Sequence, residues 1–194
     1  NDPLGNNGVP PAPVFTLFDA WATQSGSDAQ SQARASIARG QKIFNLRPLV
    51  IRDVPGLNDT TGPDHLPRTS VTGTCGTCHN TPNVGTHTSA FEVRTGVANG
   101  GRRTADLPLF TLINKTSGQT VQVSDPGRAL ITGKWADVGR FKVPGLRALA
   151  ARAPYFHDGS AGSLNAVVEF YDRRFGMKLS AQERADLVAF LRAL

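Results

Sequence analysis

Residues 75–79 read Cys75-Gly76-Thr77-Cys78-His79, and every other expectation drawn from this sequence starts from them. Two thiols three positions apart can bond to the two vinyl groups of one porphyrin, and the histidine that follows is then placed to bind its iron. The pattern therefore predicts one covalently attached haem c. We expect thioether bonds at Cys75 and Cys78, and His79 as the proximal iron ligand.

Other uses of a Cys-x-x-Cys pair fit this chain poorly. A thioredoxin-like dithiol follows a buried strand in a βαβ unit, whereas residues 71–74 are too few and too polar for that strand. A structural zinc site needs about four ligands, but the chain has two cysteines and no paired histidine spacing. A disulfide between residues so close together closes a very small loop and adds little stability.

Length and composition limit the class of protein. The 194 residues, with 20 glycines and 13 prolines, suit one loop-rich domain. No apolar run of about eighteen residues predicts a membrane span, and no signal peptide begins the sequence, which reads as a mature chain. Haem attachment by a bacterial-type pathway occurs outside the cytoplasm, so we expect a periplasmic protein.

The net charge of +6 is concentrated in residues 128–194, which hold eleven basic and six acidic side chains. One interpretation is a basic face that docks an acidic redox partner such as a dehydrogenase, an oxidase or another cytochrome. A solvated surface explains the excess equally well. No interleaving of basic and aromatic residues suggests nucleic-acid binding.

Helical patterns lie on both sides of the haem motif. Apolar spacing predicts a helix over residues 28–45, and a capping box of Ser180 and Glu183 begins a final helix over residues 181–193. The segment between Pro108 and Val123 fits either a hairpin or a helix. The remaining predictions are a loop over 46–74 and two shorter helices, over 143–153 and 163–172.

Two of these segments resemble the terminal helices of class I cytochromes c: Gly40-Gln41-Lys42-Ile43-Phe44 and residues 183–191. In that fold the two helices cross, and a glycine allows close backbone approach. The resemblance implies a mainly α, class I cytochrome c-like fold around one covalent haem, with long loops and an extended N-terminal arm. We assign residues 1–27 to that arm or to a linker, and residues 28–194 to a single cytochrome c domain.

A second resemblance covers roughly residues 71–194. Residues 140–147 (RFKVPGLR) and 153–160 (APYFHDGS) resemble the bacterial di-haem cytochrome c peroxidases and their MauG-type relatives. This implies the electron-transferring, carboxy-terminal haem domain of that family. Residues 1–70 contain no second Cys-x-x-Cys-His motif, so we do not carry over peroxidase activity.

The sixth iron ligand has two candidates. Met177 is the single methionine of the chain, and a thioether ligand raises the haem potential. It lies only three residues before Ser180, closer to the last helix than the ligand of class I cytochromes. Tyr171 stands where the peroxidase resemblance places the ligand, and MauG-type members have a tyrosine there. Both candidates, and an open site, are retained.

Other residues are predicted to surround the haem. Tyr155, Phe156 and Phe141 would supply apolar contacts, and Arg147 would bind a propionate, since a guanidinium suits a carboxylate. The peroxidase resemblance implies that His157 lies near the haem edge. His65 and His87 are weaker ligand candidates.

The leading functional hypothesis is a periplasmic electron-transfer cytochrome, because no nucleophile–base constellation stands out in the sequence. One alternative is a haem enzyme of the peroxidase or MauG-like type, which requires an open or displaceable ligand. The other is the haem domain of a larger multidomain oxidoreductase.

Overall fold

The computed structural model describes residues 15–59, 67–79 and 92–194. Helix outweighs strand in these ranges, which confirms the mainly α prediction in its coarse form. The helices are α1 (Ala29–Leu46), α2 (Ala129–Thr132), α3 (Leu164–Phe175) and α4 (Ala181–Arg192). None of the helices in the described ranges is long and apolar enough to cross a membrane.

The strands form two antiparallel pairs. In the first pair β1 (Leu49–Ile51) lies beside β2 (Val71–Gly73), and in the second β3 (Phe110–Ile113) lies beside β4 (Thr120–Val123). Within the described ranges, five short 3-10 turns occur between the other elements: Asp19–Trp21, Cys75–Thr77, Gly100–Arg102, Trp135–Asp137 and Leu149–Ala151.

Side chains near the helix ends define the limits of the three long helices. The Asp28 carboxylate accepts the Ser31 N–H at 2.9 Å before α1, and Ser163 caps α3 in the same way. The capping box expected before α4 is present, because Ser180 and Glu183 bond to each other's backbone N–H. Such caps satisfy N–H groups that have no partner within the helix. The observed limits lie within three residues of those predicted.

The helices α1 and α4 cross at Gly40, which is buried. A Cβ atom at this position would stand 2.0 Å from the Asp186 carbonyl oxygen and 2.7 Å from the Phe190 Cβ. No side chain fits that space, so the contact of the two backbones requires glycine. The close approach expected from the sequence is therefore present.

The buried Asp186 side chain fastens the same crossing. It accepts hydrogen bonds from Arg39 Nε at 2.7 Å, from Ser36 at 2.6 Å and from Gln182 at 2.9 Å. Burial acts to raise the pKa of this carboxyl, but these hydrogen bonds and the Arg39 charge outweigh it and hold the pKa below its ordinary value. The carboxylate thus stays ionised and ties α1 to α4.

Three phenylalanine rings fill the space next to the crossing. The rings of Phe15, Phe44 and Phe190 have centroids 5.4–5.5 Å apart, and Asn45 exchanges two hydrogen bonds with the Phe15 backbone. Residues 1–27 are predicted to be an arm or linker. Within the described part, Phe15 packs into the core and Phe18 lies against it, whereas most of residues 16–27 are exposed. Residues 1–14 lie outside the described part.

Two predictions differ from the structure, and a third segment adopts one of its two predicted alternatives. The helix predicted over 143–153 is wrong, because only the 3-10 turn at Leu149–Ala151 forms and Ala148 before it is left-handed, with a φ of 55°. A helix or hairpin remained open before Val123, and the structure has a hairpin whose turn includes Gly118 at a φ of 74°. The loop over 46–74 contains β1 and β2, since Leu49 and Ile51 alternate inward.

We expect Gly40→Ala to lower the free energy of unfolding by about 1–3 kcal/mol, because the added methyl group forces α1 and α4 apart. Urea unfolding of the full chain measures this. Gly162→Ala is the matched control, since a Cβ there meets nothing within 4 Å. Equal unfolding free energies for the two variants would show that the crossing tolerates a side chain.

Candidate cofactor site

A short 3-10 turn positions the Cys75–His79 motif. The N–H groups of Cys78 and His79 both donate to the Cys75 carbonyl, at 3.2 and 3.0 Å. Thr74 and Thr77 form reciprocal side-chain to backbone bonds that close the turn at its start. The chain therefore bends sharply enough to bring both thiols and the imidazole to one side, and the two thiols are not joined as a disulfide.

The imidazole of His79 is oriented by the backbone of a distant loop. Its Nδ1 lies 3.2 Å from the Pro144 carbonyl oxygen. A carbonyl oxygen only accepts hydrogen bonds, so Nδ1 must carry the proton and Nε2 then has the lone pair that metal binding requires. The geometry thus selects Nε2 as the nitrogen that can ligate iron.

Cys75, Cys78 and His79 all line one cavity of about 370 Å³. This volume falls in the range of roughly 300–1,000 Å³ that is usual for cofactor pockets. The other lining residues are mostly apolar. Some of them come from α1, β1, α3 and α4, such as Phe44, Leu49, Ile51, Val168, Leu187 and Leu191, and the rest come from loops and turns. No Asp or Glu occurs among the described residues that line it.

Tyr155 and Phe156, both predicted from the sequence, line this cavity. The Tyr155 hydroxyl donates a hydrogen bond to the Leu149 carbonyl at 2.8 Å. Because the hydroxyl is satisfied in this way, the ring can serve as an apolar surface. Phe156 adopts a φ of 67°, a conformation rare for bulky residues, and its ring packs edge-on against Phe170. The local backbone therefore turns both rings inward.

His157 also lines the cavity, as does Phe141. The two rings stack with centroids 4.1 Å apart, and His157 Nε2 lies 3.5 Å from an Asp125 carboxylate oxygen. The imidazole is thus held by an aromatic face on one side and a carboxylate on the other, at the edge of the cavity. Its predicted place near the edge of a haem stays a prediction.

Tyr171 of α3 lines the cavity together with both thiols. Burial raises the pKa of its phenol, and the nearby Cys78 and Cys75 act in the same direction, while a hydrogen bond with the Thr95 hydroxyl opposes them. The phenol is therefore neutral within the protein fold alone. A metal ion would have to displace its proton in order to bind it.

Met177 lines the same cavity and is buried. Gly176, at a φ of 61°, ends α3 and turns the chain back, and the Met177 N–H then donates to the Asp172 carbonyl at 3.1 Å. The structure thus brings both candidates for the sixth ligand to one cavity and does not choose between them.

Burial also changes the chemistry of the two thiols. It raises the pKa of Cys75 to about 12, with the neighbouring Cys78 contributing, and raises the pKa of Cys78 to about 11. Both groups are therefore protonated at neutral pH. In a haem c the same sulfur atoms are thioethers, which carry no charge and suit this apolar surrounding.

The basic side chain predicted to contact the cofactor is not at the cavity. Arg147 is exposed and does not appear among the described residues that line it, whereas Arg152 and Lys142 do. An arginine in a loop gives no pattern that reveals its direction, so the sequence could not single out Arg152. His65 and His87 lie outside the described residues.

The residues of this cavity fit an iron porphyrin. Two thiols three positions apart face the same space as an imidazole with its Nε2 lone pair, and Tyr171 or Met177 can supply a second axial ligand. The apolar lining suits the porphyrin ring, and the absence of lining carboxylates avoids repulsion with its acidic groups.

No protein-family model matches the chain, but curated proteins match parts of it. The chain resembles bacterial cytochrome c peroxidases and MauG. It is 37% identical over 109 residues to cytochrome-c peroxidase IdrP1 of Pseudomonas sp. (strain SCT), a match that covers 46% of this chain and 29% of the relative. It is 48% identical over 65 residues to the methylamine utilization protein MauG of Methylorubrum extorquens, covering 28% of this chain and 18% of the relative.

The cytochrome c peroxidase Ccp of Escherichia coli (strain K12) is 35% identical over 121 residues, covering 62% of this chain and 22% of the relative. These matches confirm the resemblance predicted from residues 140–147 and 153–160. The chain spans less than a third of the length of the three peroxidase and MauG relatives. What those whole proteins do therefore remains a matter of proposal for this chain.

The raised thiol pKa values lead to a reactivity prediction for polypeptide made without haem attachment. At about pH 8 a thiol with its ordinary pKa of 9.0 is roughly a tenth ionised. A thiol with a pKa of about 12 is ionised to only roughly one part in ten thousand. We expect iodoacetamide to alkylate the folded chain at least ~100-fold more slowly than the chain in concentrated urea. Similar rates in the two conditions, followed by intact mass, would contradict the burial of these thiols.

Proposed function

We propose that this chain is a haem c protein of the peroxidase or MauG-like type. The observation that carries the proposal is that Cys75, Cys78 and His79 line one largely apolar cavity with two candidate axial ligands. In this proposal thioether bonds at Cys75 and Cys78 hold the porphyrin, and His79 Nε2 binds the iron. The haem would supply redox chemistry at a metal centre.

The protein's own residues would orient the haem and exclude water. The Pro144 carbonyl fixes the imidazole plane of His79 through Nδ1, so the proximal ligand is oriented before iron binds. Buried side chains of α1, α3 and α4 would exclude water from both faces of the ring. Such exclusion strengthens the electrostatic effect of each nearby charge.

The relatives support a peroxidase or MauG-like haem protein more than an electron carrier, since the matched proteins are peroxidases and MauG. A simple carrier remains the second candidate because these 194 residues contain one Cys-x-x-Cys-His motif. The third, a haem domain within a larger oxidoreductase, agrees with the small share of each relative that is matched.

A periplasmic location and a redox protein partner complete the proposal. Covalent haem attachment of the bacterial type supports the location. For docking, the basic excess of residues 128–194 is partly neutralised within the fold, because Arg128 and Arg140 pair with Glu92 and Asp59, which lie outside this range. An acidic partner would therefore meet the remaining basic side chains.

Haem attachment is tested by producing the full chain in a bacterium with a c-type maturation system. We expect an intact mass increased by one haem and the pyridine haemochrome spectrum of a c-type haem. The double variant Cys75→Ala/Cys78→Ala should lose the covalent haem, whereas Thr72→Ala, exposed on β2, should keep it. An unchanged chain with the mass of the bare polypeptide would refute the proposal.

Hydrogen peroxide then separates the enzyme from the carrier. The haem-loaded protein is mixed with peroxide and a reduced electron donor, and the absorption spectrum and donor oxidation are followed. A peroxidase or MauG-like protein should change its spectrum rapidly and oxidise the donor. If the haem is bound but inert to peroxide and cyanide, the carrier is the correct function.

Single substitutions identify the sixth ligand. Loss of a tyrosinate ligand in Tyr171→Phe should raise the midpoint potential, whereas loss of a thioether ligand in Met177→Leu should lower it. Replacement of the true ligand should change the midpoint potential by on the order of 0.1 V or more, because axial ligands set haem potentials over a wide range. Tyr155→Phe removes a hydroxyl from the same cavity and serves as the control. If neither Tyr171→Phe nor Met177→Leu alters the spectrum, neither residue ligates the iron.

A further inference from the structure

The charged side chains around the cavity are basic, and the packing of the apolar core does not require them. Lys142 and Arg152 line it, and no described lining residue is acidic. Both residues are exposed, so they lie where the cavity meets solvent and where the charged part of a ligand can stay hydrated. Such an arrangement indicates that the ligand itself brings negative charge to this part of the cavity.

Fewer than half of the arginines in the described residues have a carboxylate partner. Within residues 15–59, 67–79 and 92–194, neither Arg152 nor Lys142 forms an ion pair with an acidic side chain. By contrast, six arginines each contact a carboxylate: Arg39, Arg47, Arg128, Arg140, Arg173 and Arg184. Arg152 and Lys142 therefore belong to the basic residues whose charge no described carboxylate neutralises through an ion pair.

The Arg152 side chain is held in position by its neighbours' backbone. Its Nη1 donates to the Gly145 carbonyl at 2.9 Å and to the Arg147 carbonyl at 3.3 Å. The donors on Nε and Nη2 are not used by these two bonds, and they form one edge of the guanidinium plane. That edge matches the two oxygens of a carboxylate.

Lys142 belongs to the same loop that Arg152 contacts, three residues before Gly145. The loop also supplies the Pro144 carbonyl that orients His79. One segment therefore connects His79, which would bind the iron, with both cations.

We propose that Arg152, assisted by Lys142, binds the carboxylate groups of the cofactor, in place of Arg147. The inference rests on the proposed haem function, since the haem propionates are the carboxylates concerned. Both side chains are exposed, but only Arg152 lines the cavity, and the Arg147 carbonyl accepts a hydrogen bond from it. Arg152 is thus a cofactor-binding residue, and Arg147 supports its position through the backbone.

This assignment predicts an effect on the iron. A fixed cation at the edge of the porphyrin disfavours the ferric state, which carries one more positive charge than the ferrous state. Removal of the Arg152 charge should therefore lower the midpoint potential. Loss of the carboxylate contact should also shift the propionate bending band in the resonance Raman spectrum, which a purely structural role would not move.

The test compares haem-loaded full chains that carry Arg152→Gln, Arg152→Lys or Arg147→Gln. Arg147→Gln is the matched control, because it removes an equal charge from the same loop. We expect Arg152→Gln to lower the potential and shift the propionate band, Arg152→Lys to restore part of the potential, and Arg147→Gln to resemble the unchanged protein. Haemochrome content per polypeptide is measured for each variant.

The outcomes separate this inference from the proposed function. If the unchanged chain carries no haem, the proposed function fails, and this assignment fails with it. If all variants carry haem but Arg152→Gln and Arg147→Gln give the same potential and the same band, only the present inference is overturned. Loss of haem from Arg152→Gln but not from Arg152→Lys supports it, because lysine keeps the charge. Loss from both contradicts it, because the charge would then not be the decisive property.

Discussion

The backbone contact between α1 and α4 at Gly40 is the constraint on which the rest of this structure depends. The two helices approach so closely that the Asp186 carbonyl occupies the place of a Gly40 side chain. Because both helices are fixed at this point, the rings of Phe44 and Phe190 meet in one place. The buried Asp186 carboxylate then adds directional hydrogen bonds to a contact that packing alone would leave free to slide.

The same crossing forms one side of the cofactor cavity. Phe44 of α1 belongs to the aromatic cluster and also lines the cavity. Leu187 and Leu191 of α4 belong to the hydrophobic core and line the cavity as well. Stability and binding are therefore linked physically. A bound porphyrin would bury further apolar surface against these side chains, and its burial would favour the folded chain.

The polar part of the site comes mainly from loops. The Pro144 carbonyl orients His79, and Gly145 and Arg147 hold Arg152 through their carbonyls. This division is common in proteins, where rigid helices supply the apolar surface and loops supply the specific contacts.

The sequence by itself determined the chemistry of the motif and the long helices. Cys75, Cys78 and His79 are close together along the chain, and a helix cap such as Ser180 is a local signal. The haem-binding pattern and the helix starts can therefore be recognised from the sequence without knowledge of the fold. Only the tertiary structure decided that Phe15 joins the core, that residues 110–123 form a hairpin, and that Arg152 rather than Arg147 lines the cavity. These outcomes depend on contacts between residues far apart in the chain, or on the direction of a loop side chain. Local periodicity carries no information about either.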